Sequence, residues 1–159
     1  MKTDRSAAWM LLSLATLTAM GACAHENAQP AAANEPGPGT RAYDMQIWHS
    51  LLRDHTKIRR VVKHLPNGVD ATTESDDPEV ASRIIEHGRA MQERVATGAP
   101  VRMWDPVFAD LFAKHEAIHL EVTTTASSVR SIETSEDSEG VALLRSHAMA
   151  ASEFIRGGL

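Results

Sequence analysis

The chain has 159 residues, a formal charge of −5 and aromatic residues at only 4%. No basic stripe interleaves with aromatics, so nucleic acid is excluded as a partner. Its single cysteine rules out an internal disulfide, a multi-Cys metal site and the C-x-x-C-H attachment of a c-type haem.

Lys2 and Arg5 supply a positive start, and Ala7 to Met20 is an apolar run. That run is shorter than the ~20 residues of a membrane span. Small residues lead to the cysteine in Met20-Gly21-Ala22-Cys23. This resembles a bacterial lipobox, although Met20 stands where Leu is usual. The resemblance implies cleavage before Cys23, a lipid on its thiol and a membrane as partner. The alternative is an ordinary secretory signal cut at an A-x-A-like site. Ala24 rather than Asp after the cysteine implies the periplasmic face of the outer membrane. Residues 1–22 are thus read as the signal peptide and 23–40 as a disordered tether. His25 to Thr40 is rich in Ala, Pro, Asn and Gly and has no apolar period.

Residues 41–159 are one domain's worth of chain, and they are duplicated. An offset of 60 aligns Leu51 with Leu111, His55 with His115, Ile58 with Ile118 and Val62 with Val122. It also aligns Ser75 with Ser135, Asp77 with Asp137, His87 with His147 and Gly98 with Gly158, with no gap. Repeat 1 is 44–98 and repeat 2 is 104–158, each a unit that stacks on the other.

The seam Trp48, Leu51, His55, Ile58, Val62, Leu65 predicts a first helix. Pro66-Asn67-Gly68 is a turn signal, and Val69 to Ser75 reads as a short extended piece. Asp77 caps a second helix that Pro78 and Glu79 open and Gly98 ends. Its seam is Val80, Ile84, His87, Met91, Val95. Repeat 2 gives Asp105-Pro106, the seam Phe108, Leu111, His115, Ile118, Val122, an extended piece at 128–134, and a last helix capped by Asp137. The expected fold is mainly α: two helix–strand–helix repeats form a four-helix bundle-like domain, and the Thr-rich pieces can pair as a small two-stranded sheet.

The run Thr73 to Val80, with Ile-x-x-His ending at His87, resembles tandem repeats of small exported bacterial proteins of unknown function. That resemblance carries no activity.

Four predicted helices each centre a histidine in the apolar seam: His55, His87, His115 and His147. Buried imidazoles cost free energy unless bonded, and a shared ligand removes that cost. The leading expectation is therefore a metal ion or haem held by these four, with Zn, Cu or Ni matching neutral imidazoles and haem b matching a facing pair. A non-catalytic alternative is a structural or interaction lipoprotein with a hydrogen-bonded histidine layer. A catalytic alternative rests on His115-Glu116-Ala117-Ile118-His119, which resembles the zincin motif. There His115 and His119 would bind zinc, Glu116 would activate water, and Glu133, Glu136 or Glu139 could add a third ligand. The same stretch holds a Glu-x-x-His spacing, but without the second copy that a di-iron site needs. The sequence names no reaction, and the balance leans away from an enzyme.

Overall fold

The computed structural model describes residues 35–158. Residues 1–34, which hold the expected signal peptide, Cys23 and most of the expected tether, lie outside the described residues. Among those described, no helix is long and apolar enough to cross a membrane.

Each repeat contains two helices and a β-hairpin. Repeat 1 runs α1 (Arg41–Arg53), β1 (Arg59–Leu65), β2 (Gly68–Glu74) and α2 (Pro78–Thr97). Repeat 2 runs α3 (Pro106–Ala113), β3 (His119–Thr124), β4 (Ser128–Thr134) and α4 (Ser138–Gly157). A 3-10 turn, His55–Lys57 or His115–Ala117, separates the first helix of each repeat from its first strand.

This overturns the mainly α expectation. The fold is α+β, with a four-stranded antiparallel sheet in the order β1-β2-β4-β3. The seam misled because positions four apart share a side in both a helix and a strand. Ile58 and Val62, like Ile118 and Val122, satisfy either period. Helix α1 in fact stops at Asp54, and the hairpin closes over Pro66-Asn67. Alternation of exposed Arg59, Val61 and Lys63 with part-buried Arg60 and Val62 marks β1 as a strand with one covered face.

The central pairing sets the symmetry. β2 and β4 pair so that Ala71 faces Ser131, its own counterpart at the offset of 60. Val69 faces Glu133 and Thr73 faces Val129 across the same point. A pseudo-two-fold axis therefore passes through the Ala71–Ser131 pair.

The long helices cross over. α2 of repeat 1 packs on β3 and β4, whereas α4 of repeat 2 packs on β2 and β1. Two buried clusters result. One joins Leu51, Ile58, Val80 and Ile84 to Val129, and the other joins Val95 to Leu111, Phe112 and Leu144. Both mix residues from the two repeats. Each buried large apolar side chain contributes ~1.5–3 kcal/mol, and both clusters are completed by a residue of the other repeat, Val129 in one and Val95 in the other.

The duplicated polar residues act at helix starts. Asp77 Oδ1 accepts from the Glu79 and Val80 amides, and Asp137 Oδ1 accepts from Glu139. Ser75 and Ser135 accept from the amides of Asp77 and Asp137 at 3.1 and 3.2 Å. These bonds satisfy amides that a helix leaves without internal partners.

Candidate ligand cavity

The four seam histidines fall into two pairs. His55 and His115 lie in the 3-10 turns, each against the end of the other repeat's long helix. His55 Nδ1 is 2.8 Å from the Ile155 carbonyl oxygen, and His115 Nδ1 is 3.1 Å from that of Val95. Both carbonyls belong to last helical turns, and that of Val95 also accepts from the Gly98 amide at 3.3 Å. Each ring thus donates from Nδ1 to close a helix end. Gly98 and Gly158 make room for this. Both have positive φ, 63° and 70°, and a Cβ on either would stand 2.5 Å from His115 Nε2 or 2.6 Å from His55 Cδ2.

The second pair goes inside. His87 on α2 and His147 on α4 are part-buried, each with its Nδ1 shut off from solvent, and line a cavity of about 180 Å³ between the helices and the sheet. The four predicted ligands do not converge, because α1 and α3 end before His55 and His115. Among the described residues, no group of three or more His, Cys, Asp or Glu side chains is placed to hold a metal ion.

The HEAIH run is not helical, contrary to the zincin expectation. His115, Glu116 and Ala117 form the 3-10 turn and His119 starts β3, where it is exposed. Two histidines one turn apart on a helix are what that motif needs, and the helix has already ended at Ala113. Of the third-ligand candidates, Glu133 faces the cavity, whereas Glu136 and Glu139 lie at the start of α4.

The aromatic residues Trp48 and Phe108 line the cavity, and Phe154 packs behind them. Trp48 lies 5.4 Å from His87 and 5.4 Å from Phe154, and Phe108 lies 5.2 Å from His147. Arg102 stacks over Phe154 at 4.6 Å and over Phe108 at 5.4 Å. It also has φ of 55°, unusual for a residue with a side chain. Leu51, Ile84, Met91, Val129 and Leu144 add apolar surface.

The polar residues of the cavity are unequal across the axis. Arg60 on β1 corresponds to Leu120, and Glu133 on β4 corresponds to Thr73. Arg60 Nη1 donates to Thr73 Oγ1 at 2.6 Å, and Ser131 Oγ donates to Glu133 Oε1 at 3.1 Å. Glu133 is only 7% exposed. Asp44, also in the wall, is taken up by Arg94 at 2.6 Å.

Burial sets the protonation. Desolvation pushes the His87 pKa down to about 4, opposed by Asp44 and helped by His147 and Arg60. Desolvation lowers His147 too, opposed by Glu133. Both imidazoles are therefore neutral at pH 7. Burial also lowers the Arg60 guanidinium from its ordinary value, with Glu133 opposing.

No family model, curated protein or solved structure matches the chain. The site must be judged on its own chemistry.

Five buried side-chain atoms among the described residues lack a hydrogen-bond partner: Trp48 Nε1, Arg60 Nε, His87 Nδ1, His147 Nδ1 and Arg145 Nε. The first four belong to residues lining this one cavity. Unpaired buried polar atoms are uncommon and costly, about 1–3 kcal/mol each. The seam pointed to His87 and His147. It missed Arg60, whose only sequence signal is a charge on the covered face of a strand, and Glu133 entered only as a third-ligand candidate of the zincin motif.

Proposed function

We propose that this is a lipid-anchored protein of the cell envelope whose domain binds a small, largely apolar molecule in the cavity between His87 and His147. The observation that carries the binding proposal is that four residues lining one apolar cavity each hold a buried polar atom without a partner. A site that keeps unsatisfied donors in its wall is stabilised when a ligand satisfies them. A dry apolar cavity of about 150 Å³ holds benzene, so about 180 Å³ admits one small ring or a short branched chain. A porphyrin needs far more room. The lipid anchor is supported by Lys2, Arg5, the apolar run and Cys23.

Thermal unfolding in the presence of benzene tests the binding proposal. The midpoint should rise with benzene concentration, because a ligand of the native state stabilises it by mass action. Ala151→Phe, which adds a ring to the cavity wall, should abolish the rise. No shift in the parent protein defeats the proposal. For the anchor, Cys23→Ala should move the protein from the membrane fraction to the soluble one.

A second reading keeps a metal. His87 and His147 share the cavity wall with Met45 and Met91, and Met91 is one turn along α2 from His87. Neutral imidazoles with a thioether suit monovalent copper, a soft ion. Under this reading His87→Ala removes most of the copper from protein isolated from its own host, and His119→Ala removes none. Equal copper in both variants sinks it.

A further inference from the structure

Resting on the cavity-binding reading, we infer that the ligand is a small monocarboxylate with an apolar body, and that Arg60 takes its carboxylate. The reason is the sense of the unmet hydrogen bonds. Trp48 Nε1 and Arg60 Nε can only donate. His87 Nδ1 and His147 Nδ1 each donate in one neutral tautomer. None of the four atoms can serve only as an acceptor. The complementary molecule therefore brings acceptors.

Charge points the same way. Arg60 has one amino group occupied by Thr73 Oγ1 at 2.6 Å, which orients the guanidinium. Its Nε–Nη2 edge has the fork geometry that a carboxylate accepts in bidentate fashion. Asp44 is paired with Arg94 at 2.6 Å, and Glu133, which accepts from Ser131 Oγ at 3.1 Å, acts on Arg60 through its charge without forming an ion pair with it. Arg102 is drawn to Asp105 at 3.1 Å and to the aromatic rings. That leaves Arg60 as the cation of the wall without a carboxylate on it. In a low-dielectric wall such a pair is far stronger than in water. The remaining lining, Leu51, Ile84, Val129 and Leu144 among it, offers the body of the ligand only apolar contact.

Three probes of one shape test this by calorimetry on the full chain at pH 7: benzoate, benzene and benzylammonium. Benzoate should bind saturably and at least tenfold more tightly than benzene. Arg60→Met should weaken benzoate tenfold or more and leave benzene unchanged. Benzene binding as tightly as benzoate, a preference for benzylammonium, or benzoate binding untouched by Arg60→Met would each overturn the carboxylate assignment and leave the cavity reading intact. Failure of all three probes overturns both. Should the Arg60 variant not fold, the ranking of the probes on the parent protein decides alone.

Discussion

His87 ties stability to pH in a direction set by its burial. Its folded pKa of about 4 lies below the ordinary 6.5 of the unfolded chain. Between those values the unfolded state binds the extra proton, so stability is full above pH 6.5 and falls as pH drops toward 4. At 1.36 kcal/mol per pH unit this amounts to about 3 kcal/mol. Urea unfolding at pH 7 and pH 4.5 should show the parent losing more stability than His87→Leu, by about that order; equal losses would dismiss the assignment. His119 is a contrast on the surface. His119→Ala should change stability by less than about 0.5 kcal/mol by the same assay. The sequence showed His87 and His147 plainly, because the duplication repeats them on an apolar seam. It could not separate them from His55 and His115, which repeat just as faithfully for another reason. His55 and His115 each bond the other repeat's long helix, whereas His87 and His147 each face an aromatic ring of their own repeat, and only the position of the helix end tells a ring in a cavity from a ring on a carbonyl. Arg60 was invisible for the opposite reason, since its counterpart is Leu120 and repetition gave it no weight.

Helices α2 and α4 were legible at both ends. Their Asp caps, first-turn prolyl or acidic residues and terminal glycines are local chemistry, and local chemistry survives in a single sequence. The first helix of each repeat was read too long. The spacing of Ile58 and Val62 does not choose between helix and strand, and the choice is made by hydrogen bonds to β2 across the turn at Pro66-Asn67, where Val62 pairs with Ala71. Two predictions belong to these elements. Gly98→Ala should destabilise by about 1–3 kcal/mol, because it forces a side chain into φ of 63° and against the His115 ring. The double variant Gly98→Ala, His115→Ala should recover the steric part but not the backbone part, a non-additivity that chemical denaturation can measure. Asp77→Ala should cost about 0.5–2 kcal/mol through the two amides it leaves open.

The whole molecule is a pair of repeats that cannot be pulled apart without exposing both. The sheet is continuous through β2 and β4, and each long helix covers strands of the other repeat. Residues 35–100 expressed alone should show the far-ultraviolet circular dichroism of an unfolded chain, since α2 would lose the strands it covers. A cooperative thermal transition in that fragment would contradict this arrangement.

The crossing of α2 and α4 has a consequence for the connector at 98–105. If the halves hold each other by exchanged helices, the peptide link between them serves mainly to keep them at high local concentration. Chains 1–100 and 101–159, made separately and mixed, should assemble one to one into a complex with the hairpins and helices of the parent. Size-exclusion chromatography of the mixture would show one species, with neither piece folded alone. Such a split pair is the arrangement of a homodimer whose two subunits were later written into one gene. It also offers a way to change Arg60 or Glu133 on one half while leaving its mate untouched.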